Sequence, residues 1–164
     1  MKDADTPVGR RYLEDLRVGE RFISDTHAVD AEAIKAFATQ FDPQPFHLDE
    51  VAAADTFFGG LAASGWHTAA ITMRLLVTGP LRLAAGVIGA GAEVSWPQPT
   101  RPGDVLHVES EVVEILPSRS RPDRGIALMQ SETLNQRGEV VQRMQAKLLV
   151  FRRPRAGDTQ GETA

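Results

Sequence analysis

Two hydrophobic periods divide this chain. Over residues 31–41 (AEAIKAFATQF), Ile34, Phe37, Ala38 and Phe41 recur at i, i+3, i+4 and i+7, which puts them on one stripe of a helix. Asp30 offers an N-cap, and Pro43 disfavours helical geometry at Asp42, so the helix is expected to stop there. A second segment, from Ser64 or Gly65 to about Val77, is apolar nearly all round. Trp66, Ala69, Ala70, Met73, Leu76 and Val77 leave only a narrow polar strip that includes Arg74. Such a helix is expected in the middle of a fold, and Thr78-Gly79-Pro80 ends it. Residues 49–55 read as a turn or short helix, and Gly59-Gly60 as a break. Ahead of all this, Arg21–Val29 reads as a strand of imperfect alternation.

The second half changes period. Val87–Trp96, Val105–Leu116, Ile126–Gln136 and Val140–Phe151 read as four long strands separated by Pro- and Gly-containing turns, the last pair as a hairpin. Helices followed by a run of strands indicate an α+β fold with a mostly antiparallel sheet, not a doubly wound nucleotide-binding fold. A long antiparallel sheet wrapped around one buried central helix is the hot-dog arrangement.

Composition narrows the classes. With 164 residues, 42% hydrophobic and 24% charged, the chain has the make-up of one globular domain. The polar, turn-rich ends suggest flexible segments over 1–9 and 154–164, leaving one domain over 10–153. A net charge of −4 gives no global attraction for nucleic acid or anionic lipid. The absence of Cys removes disulfides, thiolate nucleophiles and Cys-ligated metals. No apolar run reaches the roughly 18 residues of a membrane span, and the N-terminus lacks the apolar core of a signal peptide. The expectation is a cytoplasmic protein with neither a nucleic-acid nor a membrane partner.

The chemistry concentrates in FDPQPFHLDEVAA, residues 41–53. Asp42 and His47, five positions apart, would point to opposite faces of a regular strand, so they converge only if the segment bends. Pro43 and Pro45 hold such a bend with little freedom to lose. A carboxylate and an imidazole brought together can orient or deprotonate water. The structural alternative is that Asp42 caps a turn and His47 is a partly buried histidine. Downstream, in GGLAASGWHT, Ser64 looks like an N-cap and Gly65 falls in the first helical turn. There, unpaired backbone N–H groups and the positive end of the helix dipole can hold a developing oxyanion. Alternatively, Gly65 only lets the helix pack against the sheet.

Taken together these segments resemble the MaoC-like dehydratases, the (R)-specific enoyl-CoA hydratases of the hot-dog superfamily. The resemblance is carried by Asp42-Pro43-Gln44-Pro45-Phe46-His47, by Ala53, and by FGGLAASG with Gly65 eighteen residues after His47; in outline it spans residues 10–152. Gln44 stands where many members have Asn, Phe41 where many have Gly, and Ser64 where many have His. The resemblance implies that Asp42 and His47 bind the water that adds across a trans-2-enoyl-CoA double bond, giving an (R)-3-hydroxyacyl-CoA. It implies that the Gly65 amide, beside Ser64, polarises the thioester carbonyl and that Met73 and Leu76 line the acyl pocket. No cofactor is implied, coenzyme A being part of the substrate. Which of Asp42 and His47 is base and which acid stays open.

Other candidates are weaker. His47, Asp49 and His67 match no metal-ligand spacing, so no metal is expected. His27 and His107 read as surface or packing residues. Arg101, Arg119, Arg121 and Arg124 could meet coenzyme A phosphates or simply face solvent. Two other functions compete: an acyl-CoA thioesterase, which would not need the Asp/His pair, and a non-catalytic acyl-thioester-binding or assembly subunit, which could lose it. One hot-dog unit leaves a sheet edge open, so a homodimer, with further assembly undecided, is the expected partner state.

Overall fold

The computed structural model describes residues 9–155. After a 3-10 turn at Leu13–Asp15, the elements are β1 (Arg21–Ile23), β2 (His27–Ala28), α1 (Ala31–Phe41), α2 (Pro45–Leu48), α3 (Glu50–Ala54), α4 (Gly65–Thr78), β3 (Ile88–Ser95), β4 (Val105–Pro117), β5 (Arg124–Leu134) and β6 (Val140–Phe151). The sheet runs β1-β4-β5-β6-β3, all pairs antiparallel, with β2 also on β4. All four helices lie in the β2-to-β3 connection, and α4 packs against β4 and β6. This is the hot-dog fold, with an open sheet: among the described residues β3 pairs only with β6. No helix among them is long and apolar enough to cross a membrane. Except for Gly9, Pro154 and Arg155, the expected flexible ends over 1–9 and 154–164 lie outside the described residues.

Residue chemistry accounts for most boundaries. The Asp30 carboxylate accepts the Ala33 N–H at 2.7 Å and starts α1. Asp49 does the same for Ala52 at 2.8 Å and starts α3. The expected single strand over Arg21–Val29 is instead two short ones. Ser24 explains the break: its N–H donates to the Val108 carbonyl at 2.9 Å, but its hydroxyl takes the Val108 N–H at 2.8 Å. A side chain thus replaces a main-chain acceptor, and regular pairing resumes only at His27–Leu106.

The central helix is buried on one side only. Its covered line is His67, Thr68, Ile71, Thr72 and Leu75, whereas Trp66, Met73 and Val77 are 62%, 44% and 55% exposed. The covered threonines are satisfied by other threonines: Thr68 meets the Thr100 hydroxyl at 2.9 Å and Thr72 meets Thr133 at 2.6 Å. Paired this way, a hydroxyl no longer carries the cost that keeps polar groups out of a core. In α1, Ile34 and Ala38 are buried as expected, but Phe41 is 68% exposed and leans on Phe37 with ring centres 5.1 Å apart.

Two apolar clusters hold the layers together. One joins Val29, Ile34, Leu61, Ile71, Leu75 and Val108 around the helices, on the side of the site. The other gathers Leu13, Leu81, Val112, Met129, Leu148 and Val150 toward the opposite end of the sheet.

Candidate active site

The chain bends between Asp42 and His47 because α1 ends at Phe41 and Pro45 opens the one-turn helix α2. Pro at a first helical position loses no bond, since its missing N–H would be unpaired there. His47 lies on that turn, and its Nε2 comes within 3.3 Å of Asp42 Oδ2, with the two side chains 5% and 19% exposed. Asp42 is at the same time the C-cap of α1, its N–H donating to the Ala38 carbonyl at 2.9 Å.

Both ends of the pair are held. The other nitrogen of His47, Nδ1, lies 2.6 Å from the Ala62 carbonyl oxygen. A carbonyl can only accept, so Nδ1 carries a hydrogen, and in the neutral form of the ring Nε2 is then the bare nitrogen, turned toward Asp42. Asp42 Oδ2 accepts the Ser64 hydroxyl at 2.7 Å, and Oδ1 accepts the Gln44 amide at 2.6 Å. Burial alone would raise the carboxyl pKa, but the hydrogen bonds from Ser64 and Gln44, joined by the attraction of the His47 ring in its protonated form, outweigh it, so the pKa lies below the ordinary value. Asp42 is therefore a carboxylate at neutral pH. The Gln44 and Ser64 departures from the family pattern both act on this carboxylate.

Ser64 connects the pair to the central helix. Its hydroxyl also accepts the Trp66 N–H at 3.2 Å, capping α4. The Gly65 N–H, in the next peptide, donates to no group among the described residues. The lack of a side chain at Gly65 has a packing cause as well: a Cβ there would lie 2.7 Å from Cε2 of Trp96. The Trp96 indole is fixed by its Nε1 donating to Gln142 Oε1 at 2.9 Å. Gly65 thus has Trp96 against its side-chain face and an amide without a partner among the described residues on another.

Met73 and Leu76 line a cavity of about 270 Å³ between α4 and β3, β5 and β6. Its wall also includes Val87, Met129, Met144 and Leu148, and no charged residue takes part. The remaining candidates lie elsewhere. His67 stacks on Phe37 at 4.7 Å and is buried; burial foremost, with His27 nearby, lowers its pKa. Asp49 is occupied in capping α3. Among the described residues no three His, Asp or Glu side chains gather where they could hold a metal. Arg119, Arg121 and Arg124 lie at the β4–β5 turn, and the thirteen residues of β4 separate that turn from Arg101, about 40 Å along an extended strand. Arg101 is engaged with the backbone of residues 58–61.

Sequence reasoning did not find Trp96, Gln142 or the Ala62 carbonyl. Trp96 follows a strand and has no motif around it. Gln142 reads as a polar residue on a strand, yet it is fully buried. A backbone carbonyl leaves no trace in residue type.

Known proteins share this arrangement of elements. A family profile described as "MaoC like domain" matches residues 16–132. A crystal structure of a MaoC-like dehydratase from Rhodospirillum rubrum is 71% identical, with a TM-score of 0.87, over 88% of this chain and 99% of that one. The R-hydratase PhaJ1 from Pseudomonas aeruginosa is 26% identical with a TM-score of 0.71, over 93% of this chain and 96% of its own. A 3-hydroxybutyryl-CoA dehydratase from Methylorubrum extorquens is 33% identical over 113 residues, 67% of this chain and 69% of that protein. The chain belongs to the MaoC-like domain family.

Proposed function

We propose that the protein is a hydro-lyase that reversibly hydrates a trans-2-enoyl-CoA to an (R)-3-hydroxyacyl-CoA. The observation that carries this reading is the pair of facing acceptors. With Nδ1 committed to Ala62, His47 in its neutral form offers Nε2 as an acceptor, 3.3 Å from the ionised Asp42 Oδ2. A water molecule is the complementary partner, since it can donate one hydrogen to each and turn an oxygen lone pair toward the substrate.

In the hydration direction that oxygen bonds C3 of the enoyl group while one water proton passes to Nε2. The electron pair of the double bond moves into the thioester, and charge accumulates on its oxygen. The free Gly65 N–H at the start of α4 is the donor for that charge. The imidazolium then returns a proton to C2 on the same face, and the carbonyl re-forms. Asp42, its pKa lowered, stays ionised throughout, orients the water and stabilises the imidazolium. The cavity beside Met73 and Leu76 takes the acyl chain. Its uncharged wall suits an alkyl group and disfavours a second carboxylate, which would lose its hydration without gaining a partner. No cofactor takes part in these steps. The acting form is a homodimer, for which the apolar face of α4 and the free edge of β3 provide the surface.

The test is a hydration assay on crotonyl-CoA, longer enoyl-CoAs and a dicarboxylic analogue, followed by loss of the enoyl-thioester absorbance and chiral analysis of the product. (R)-3-Hydroxyacyl-CoA is expected, with the dicarboxylic analogue the poorest substrate. An (S) product would point to another hydratase, and free acid plus coenzyme A to a thioesterase.

A further inference from the structure

We propose that Arg101 is a positioning residue for this site: its guanidinium holds the loop that presents the Ala62 carbonyl to His47, and thereby keeps Nε2 as the bare nitrogen. The catalytic consequence rests on the hydratase reading above; the effect on the His47 ring does not.

The loop needs a cation. Gly59 and Gly60 have φ of 61° and 154°, backbone that L side chains rarely adopt, and the chain turns there. The carbonyls of Phe58, Gly60 and Leu61 all meet the same guanidinium: Nη2 donates to Phe58, and Nη1 donates to Gly60 at 3.0 Å and Leu61 at 3.2 Å. Three converging carbonyl dipoles repel one another unless a positive charge lies between them. A guanidinium supplies that charge with several donors fixed in one plane.

Arg101 is itself held in a rigid turn. Its N–H donates to Asp104 Oδ2 at 2.8 Å, and Asp104 is buried. Gly103 N–H donates to the Val29 carbonyl at 2.7 Å, and Val29 N–H to the Asp104 carbonyl at 2.8 Å, which ties the turn to the segment that leads into α1. The preceding residue of the same turn, Thr100, accepts the Ala63 N–H at 2.9 Å. Ala62 is therefore flanked by Leu61, held by Arg101, and Ala63, held by Thr100. Its own N–H donates to the Phe46 carbonyl at 3.1 Å, and its carbonyl faces His47. Loosening one flank frees the peptide that selects the tautomer. The imidazole can then carry its hydrogen on Nε2, where it can no longer accept a proton from water.

Two variants decide the matter. Arg101→Met keeps the stem without the donors, and Arg101→Gln keeps donors without the charge. The readouts are the His47 ring ¹⁵N chemical shifts at neutral pH, kcat and KM on the best enoyl-CoA, and the thermal midpoint. In Arg101→Met the shifts should move from the Nδ1–H form toward a mixture. Its kcat should fall by about 10- to 100-fold with KM little changed, as a small misplacement of a reacting group can produce. Millimolar guanidinium ion should restore part of that kcat. Arg101→Gln should lie between, and it stands alone should the Met variant not fold. Wild-type ¹⁵N shifts and kcat in a folded variant would overturn the proposal even with a lowered thermal midpoint, because Arg101 would then support the fold only. If the parent chain hydrates no enoyl-CoA, the hydratase reading fails, while the ¹⁵N shifts still decide the role of Arg101.

Discussion

On the proposed mechanism Asp42 and His47 handle one water between them, and their substitution should show it. Asp42→Asn and His47→Gln are each expected to lower turnover by about 10²-fold or more, as loss of a positioned acid–base group does. The double variant should be little slower than the slower single one, because groups acting as a unit are not additive. Steady-state rates on the best enoyl-CoA check this, and near-wild-type turnover in either single variant would reject the pair. Ser64 is separable from the chemistry. Its hydroxyl stabilises the ionised Asp42, so Ser64→Ala should raise the Asp42 pKa toward the ordinary carboxylate value. A depressed pKa in the folded state adds stability above the unfolded value, and that stability is lost as pH falls through the folded value. The variant should therefore gain less stability from ionisation of Asp42. A ¹³C carboxyl titration reads the shift, and an unmoved midpoint would mean that the Ser64 bond does not act on the charge.

At the level of elements, the hydroxyl pairs joining α4 to the sheet carry a distinct prediction. Thr72 and Thr133 are buried and bonded at 2.6 Å. Thr72→Val alone leaves the Thr133 hydroxyl unpaired and should cost about 1–3 kcal/mol. Changing both to Val should recover much of that loss, and denaturant unfolding of the four-member cycle measures the coupling. These pairs also show where sequence reading stops. The strands over 105–117 and 140–151, the Asp30 cap and the Asp42–His47 bend were all legible, because alternation, capping chemistry and proline act locally. The buried face of α4 was not. Hydropathy puts Thr68 and Thr72 on the polar side and Trp66, Met73 and Val77 on the apolar side, whereas the packing is the reverse. A threonine becomes core material only when a strand tens of residues away brings a second hydroxyl. The same limit hid the contacts of Arg101 with the backbone of residues 58–61 and the burial of Gln142, since their partners are distant in sequence. His67, in the first turns of α4, adds a pH test. It is buried, and its Nδ1 has no partner among the described residues. Its pKa is lowered mainly by burial, so between the folded value and the unfolded value of about 6.5 the unfolded chain binds more protons. Stability should therefore be full above that value and fall as pH drops below it. His67→Phe, which can keep the stack on Phe37, should flatten this fall in thermal midpoints measured across pH. An unchanged slope would place the acid sensitivity elsewhere.

For the whole molecule, the surface of α4 that the sequence marks as core is a stripe seeking cover. Trp66, Ala70, Met73 and Val77 are all exposed and spaced four, three and four residues apart, the spacing of a helix–helix seam. Beside it, β3 has no neighbour on its outer edge among the described residues. An unpaired edge strand next to an exposed apolar stripe is a combination that natural proteins normally cover. A two-fold axis beside β3 would pair that edge with its own copy and bring the two stripes together. Met73 belongs to both the stripe and the cavity wall, so a second copy seated on the stripe would also cover that part of the wall. The expected state at micromolar concentration is a dimer by light scattering. Ala70→Lys and Val77→Lys put charge on the stripe without touching Asp42, His47 or Ser64, and a cation near the end of α4 also suits its dipole. Together they should yield folded monomers with the Asp42–His47 pair intact but a raised KM, rising more steeply for long acyl chains than for crotonyl-CoA as the cavity loses its cover. An active monomer from the parent chain would reject the dimer, and a double variant that remains dimeric would place the assembly surface on another face.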